Sequence, residues 1–209
     1  MPPVPVLFLP GPWRPPTGWG RWAPVFEEAG YAALTPPARA DLTDLTDLIS
    51  RLERRPAIIG HSTGALLTQI LAGRGLAAAS VAVSPTRETP PPGYDRFRHA
   101  FANAVHEQEA ERLYETLHTP ATRPHHPWTE PDIHHTAHDR GPLLIITGEL
   151  DRTAPWALAH TTYRNHARNR HHLTEIIEMP GRGHSLTVDS GWREVCGTAL
   201  TFIQRFVDP

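Results

Sequence analysis

Ser62 lies between two glycines, in Gly60-His61-Ser62-Thr63-Gly64, directly after the apolar run at 56–60 and before the helical pattern at 65–75. A G-x-S-x-G pentapeptide in that context describes a turn so tight that the serine takes strained backbone angles and lifts its hydroxyl clear of a sheet. A serine hydroxyl is a weak nucleophile near neutrality. It needs an imidazole to take its proton and a carboxylate to orient that imidazole. The sequence holds fourteen histidines, so position has to choose among them. In an open parallel sheet the reacting groups gather beyond the carboxyl ends of the strands. His160 and His166 fall on a predicted helix, and His171 and His172 precede the last strand at its wrong end. His184, in "EMPGRGHSLT", follows that strand and is the candidate that fits. The same rule applied to "LLIITGELD" selects Asp151. Glu149 is the rival acid, because strand alternation points residues 149 and 151 to the same side; Asp151 is preferred.

The elements that must position these groups alternate along the chain. Apolar runs at 4–11, 31–37, 56–60, 79–85, 141–151 and 173–181 read as six strands. Helical patterns at 19–30, 41–54, 65–75, 155–168 and 192–206 separate or follow them, the second placing Leu42, Leu45, Leu48, Ile49 and Leu52 on one face. Such alternation predicts an α/β chain, three layers with a mostly parallel sheet covered on both sides. Residues 86–140 interrupt the pattern. Their middle, "FANAVHEQEAERLYETL" (101–117), reads as a helix and their Pro- and His-rich flanks as loops, together a cap inserted over a site. The 209 residues are expected to form one domain.

Composition narrows the function classes. A formal charge of −2 and a pI near 6.7 give no electrostatic footprint for nucleic acid or an anionic membrane. All twenty basic residues are arginine, which excludes lysine Schiff bases and a P-loop lysine. The single cysteine, Cys196, fits a reducing cytoplasm and packing as a small apolar residue. The proline-broken N-terminus does not read as a signal peptide, and no apolar run approaches a membrane span. His125, His126, His134, His135 and His138 raise the question of a metal, but no cysteine or His-Glu-x-x-His pattern accompanies them and the prolines argue for a loop. No metal and no cofactor are expected. Trp13 is assigned to a pocket, with Trp19 and Trp22 either lining it or packing the first helix, while Ser185 and Asp189 are expected to stabilise the histidine loop or a helix start.

"LFLPGPW", "IIGHSTGA", "TGELDRTAP" and "PGRGHS" resemble, in order, the loop after the first core strand, the nucleophile elbow, the acid loop and the histidine loop of the α/β-hydrolase superfamily. Residues 60–85 and the 101–117 segment are similar to a compact actinobacterial subgroup with a short helical cap. The resemblance implies the family fold without the first two strands of its larger members, and the chain order Ser62, Asp151, His184 for nucleophile, acid and base. It implies a serine hydrolase cleaving an ester, thioester or lactone of a small, largely apolar molecule through an acyl-enzyme on Ser62. One departure stands out. The Thr63 N–H supplies one oxyanion donor, but the position expected to supply the second is Pro12, which has no N–H; Trp13 would substitute if the loop shifted by one residue. Losing such a donor costs on the order of 10²–10³ in rate. That keeps open a non-hydrolytic lyase, cyclase or other natural-product tailoring enzyme using His184 as base, and a ligand-binding module with a vestigial elbow. The substrate's identity and the oligomeric state are not encoded in any of these patterns.

Overall fold

The computed structural model describes residues 2–11, 18–37, 40–88, 93–117 and 133–209. Six strands, β1 (Pro5–Leu9), β2 (Ala32–Leu34), β3 (Ala57–His61), β4 (Ala79–Val83), β5 (Leu143–Gly148) and β6 (Thr174–Met179), form one sheet in the order β2-β1-β3-β4-β5-β6. Every pairing is parallel. The four inner strands are buried at every residue, which is why they read as unbroken apolar runs rather than alternating ones. The edge strands β2 and β6 are only partly buried.

Helices cover both faces. On one, α1 (Ala23–Glu28) and α7 (Trp192–Gln204) bring Trp22, Phe26, Val195, Phe202 and Ile203 against Val6, Phe8, Ile59 and Val81. On the other lie α2 (Leu42–Ser50), α3 (Thr63–Gly73) and α6 (Trp156–His166). Helix α2 starts with a capping box: the Asp41 carboxylate accepts from Thr43 N at 2.8 Å and Asp44 N at 2.9 Å, while Asp44 Oδ2 accepts from Asp41 N at 3.0 Å, together satisfying three first-turn donors. Helix α3 is buried from Gly64 to Gly73. It packs beneath other elements all round, so its apolar residues show no single face.

The described part of residues 86–140 contains two helices, α4 (Tyr94–Ala100) and α5 (Glu107–Leu117), where the sequence pattern predicted one over 101–117. Residues 101–105 form turns instead. Phe101 and Ala102 are buried, and holding both inward bends the chain: Ala102 N reaches back to Phe97 O at 3.1 Å, one residue beyond helical spacing. Helix α4 itself falls partly in an expected loop. It is seven residues long and buries only Phe97, too little for a periodic signal. The predicted first helix over 19–30 is confined to Ala23–Glu28, preceded by turns.

Trp19 and Trp22 both pack in the core, 3% and 0% exposed, with their rings edge-to-face at 5.0 Å. The Trp22 indole N–H donates to Thr187 O at 3.0 Å, tying the start of α1 to the loop that carries His184. Phenylalanine at 22 keeps most of the apolar contact and strands a buried carbonyl. Trp22→Phe is expected to lower unfolding free energy by about 1–3 kcal/mol, read as a lower urea midpoint at unchanged slope; no shift would show that the N–H bond is unimportant.

Candidate active site

Parallel register brings the carboxyl ends of β1, β3, β4, β5 and β6 to one rim: Leu9 pairs with Gly60, His61 with Val83, and Gly148 with Met179. The loops leaving these ends carry the residues singled out above.

Ser62 joins β3 to α3 with φ 57° and ψ −120°, an energetically costly conformation for a residue with a Cβ. The turn persists because neighbouring backbone fixes it. Ser62 N donates to Val83 O at 2.9 Å, and Ala65 N to Ser62 O at 3.0 Å. A Cβ at Gly60 would collide with Gly64 O, and one at Gly64 with Leu9 O, so both flanking positions admit only glycine. Gly11, after β1, runs against the serine; a Cβ there would sit 3.1 Å from Ser62 Cβ. Thr63 is the first residue of α3, where backbone N–H groups lack intrahelical acceptors. Pro12 and Trp13 lie outside the described residues.

Asp151 and His184 are brought together. His184 Nδ1 lies 2.8 Å from Asp151 Oδ2 and 3.1 Å from Oδ1, and both side chains are sealed from solvent. Asp151 Oδ1 also accepts from Thr153 N at 2.9 Å and Ala154 N at 2.7 Å. Burial pushes the Asp151 carboxyl pKa up; the His184 imidazole, its hydrogen bond and the Ala154 N–H outweigh that and hold it below the ordinary carboxylate range. Glu149, the rival acid, is exposed and turned to the other side, where Oε2 accepts from Gly181 N at 2.8 Å.

With Nδ1 donating to the carboxylate, neutral His184 carries its lone pair on Nε2. That atom is buried without a hydrogen-bond partner, and so is Ser62 Oγ. The two are not hydrogen-bonded to one another in this form. His61, adjacent to Ser62, connects the elbow to the histidine loop: its Nε2 donates to His184 O at 3.0 Å, and the two rings lie 4.8 Å apart. Burial and the neighbouring His184 lower the His61 pKa to about 3, so this ring is neutral at any physiological pH.

Sequence reasoning did not identify the contribution of the inserted segment. Phe101 packs its ring 5.6 Å from that of His184, and its carbonyl accepts from Ser185 N at 3.0 Å. Asn103 Nδ2 donates to Leu150 O at 2.8 Å, and Thr153 Oγ1 to Ala100 O at 2.8 Å. The turn between α4 and α5 therefore grips the acid and histidine loops together. Ser84, at the end of β4, also escaped notice; it is buried and, with Ser62, one of two non-glycine residues described with positive φ. Ser185 and Asp189 brace the histidine loop, the Ser185 hydroxyl donating to Asp189 Oδ2 at 3.0 Å. Cys196 is buried in the core, its thiol pKa pushed up to about 12 by desolvation. His134, His135 and His138 sit in loops and turns, with His138 paired to Asp139 at 2.9 Å; His125 and His126 lie outside the described residues. Among the described residues no three His, Cys, Asp or Glu side chains are grouped to hold a metal ion.

A narrow apolar pocket of about 40 Å³ reaches the rim between Pro10, Gly11, Trp19, His61 and Phe101.

A family model described as "Alpha/beta hydrolase family" matches residues 6–198. No curated protein sequence matches the chain. Solved structures similar in fold include a monoacylglycerol lipase from Paleococcus ferrophilus (15% identity, 97% of this chain and 95% of that one, TM-score 0.69). A thioesterase domain from the curacin biosynthetic pathway is similar at 14% identity, 94% and 91% coverage and TM-score 0.65. Polyneuridine aldehyde esterase is similar at 12% identity, 96% and 99% coverage and TM-score 0.67.

The buried neutral rings set a pH dependence of stability. His61 binds its proton near pH 3 when folded and near 6.5 when unfolded, so below about pH 6.5 the unfolded chain holds a proton that the folded one lacks. Stability falls with pH there, by about 1.4 kcal/mol per unit for each such ring. His166, lowered well below its usual value chiefly by burial, adds to the same slope. The Asp151 contribution is lost only at lower pH, as acid approaches its depressed folded pKa. Urea unfolding measured between about pH 7 and pH 4.5 is expected to show this decline. In His61→Phe the slope should be shallower by about one proton; an unchanged slope would mean His61 is not buried neutral.

Proposed function

We propose, from the premise that this chain belongs to the alpha/beta hydrolase family, that it is a serine hydrolase acting on an ester, thioester or lactone of a small, largely apolar molecule. Ser62 Oγ attacks the carbonyl carbon while His184 Nε2 takes its proton. Asp151 holds His184 by Nδ1 and stabilises the imidazolium. The tetrahedral oxyanion is met by the Thr63 N–H and by a second donor on the loop after β1, Trp13 or a water standing in for Pro12. Collapse expels the alcohol or thiol, protonated by His184, and leaves the acyl group on Ser62. Water, deprotonated by His184, then releases the acid. Residues 86–140 serve as a cap on a single domain, which suits a small substrate. The lone buried cysteine suits a reducing cytoplasm.

The observation that carries this reading is the sealed Asp151–His184 pair with its Nε2 unpartnered, together with the buried, equally unpartnered hydroxyl of the strained Ser62. Labelling of Ser62 by a fluorophosphonate probe and burst release of p-nitrophenol from its butyrate ester are expected, both abolished in Ser62→Ala. Asp151→Asn should reduce kcat on the order of 10⁴. An intact fold whose Ser62 resists the probe would refute the reading.

The unpartnered state of both Ser62 Oγ and His184 Nε2 favours one second reading, a lyase, cyclase or other natural-product tailoring enzyme in which His184 alone acts as base. Activity that survives Ser62→Ala but not His184→Ala would select it.

A further inference from the structure

The narrow pocket at His61 does not end the cavity system. Across Gly18, Leu117 and Val188, which line both spaces, it adjoins a wider cleft of about 440 Å³. The cleft is bordered by Arg21, on the turn leading into α1, and Arg112, on α5, elements far apart in the chain. Among the described residues neither guanidinium has a hydrogen-bond or ion-pair partner. One carboxylate among the described residues, Glu109, lines the cleft, and it accepts from both the Ser190 N–H and the Ser190 hydroxyl, the latter at 3.0 Å. Two cations thus border a concave space against one carboxylate bonded to neutral donors, which leaves the described lining with an excess of positive charge. The excess of positive charge on the described lining favours an entering anion, and a concave wall focuses the field. Arginine suits the role because its planar fork matches phosphate.

We propose that the outer cleft binds a phosphate-bearing leaving group, so that the substrate is an acyl ester or thioester with a short apolar acyl group toward His61 and an anionic carrier between Arg21 and Arg112. The assignment of inner and outer parts rests on the hydrolase reading above; the recognition of the anion does not. In the mechanism the arginines would hold the thiol or alcohol portion until Ser62 has taken the acyl group.

The test separates binding from chemistry. Ser62→Ala protein is titrated calorimetrically with S-butyl-coenzyme A, a thioether that cannot be cleaved, and with the neutral S-butyl-N-acetylcysteamine. The coenzyme A thioether is expected to bind at least about ten-fold more tightly at low salt, with the gap closing by about 0.5 M salt as exposed charges are screened. In Arg21→Glu/Arg112→Glu the preference should disappear while the neutral thioether binds as before, circular dichroism reporting the fold. S-butyl-phosphopantetheine identifies the source: a retained preference assigns the carrier-arm phosphate, a lost one the nucleotide phosphates. Equal affinity of charged and neutral thioethers, or a preference indifferent to salt and to charge reversal, overturns the proposal. Because the nucleophile is absent from this experiment, a failed hydrolase reading would show separately, in the fluorophosphonate labelling of the unmodified protein.

Discussion

The geometry at the rim depends on how closely the chain approaches itself at the elbow. Helix α3 leaves β3 so abruptly that the backbone at Gly64 touches the carbonyl of Leu9, and Gly60 touches Gly64. That contact fixes three things at once: the strained angles of Ser62, the seating of α3 on the sheet, and the position of the loop after β1. A side chain at either glycine would have to push backbone apart, and backbone in the middle of a six-stranded parallel sheet has nowhere to go. The strain at Ser62 persists because the neighbouring strands and helix over-determine it.

Electrostatics at the rim follow from the same enclosure. Burying a carboxylate beside an imidazole is costly unless the ions are paired and hydrogen-bonded. Asp151 meets both conditions through His184, Thr153 N and Ala154 N. The adjacent His61 is kept neutral by desolvation and by its neighbour, so it adds a ring, a donor and an acceptor without a competing charge. A protonated His61 4.8 Å from His184 would oppose formation of the imidazolium. Its neutrality leaves Asp151 as the dominant charge that His184 feels.

The sheet and the rim were legible because parallel strands buried on both faces must be written in apolar runs, and each run ends in glycine, proline or a polar loop. Ser62, Asp151 and His184 stand at or just beyond the ends of three of those runs, which is why a rule about strand ends singles them out. The choice between Asp151 and Glu149 was not decidable from period two alone. In the structure two backbone N–H groups of the turn after β5 hold Asp151 inward, while the Gly181 N–H holds Glu149 outward. The helices of the insertion were obscure because their limits are set by tertiary contact. Phe101 and Asn103 leave helical geometry in order to reach His184 and Leu150. Arg140 illustrates the same limit: its fully buried guanidinium bonds Thr174 at 2.9 Å and the carbonyls of His172 and Leu173, joining the chain before β5 to the start of β6, and no local pattern announces such a bridge.

The turn at 101–105 also explains why an insertion so irregular in sequence belongs to the rim rather than beside it. A histidine loop held only by its own residues would depend on Ser185 and Asp189 for its shape. Here the same loop accepts a second set of restraints, from the Phe101 carbonyl on one side and from Asn103 packed against Gly183 on the other. The acid loop is held in the same way through Leu150 and Thr153. One turn therefore sets the separation of two loops that come from different strands, and a displacement of α4 or α5 would be felt at the Asp151–His184 bond. The segment thus lends Phe101 and Leu117 to the wall of the pocket and is hydrogen-bonded to the loops that carry Asp151 and His184.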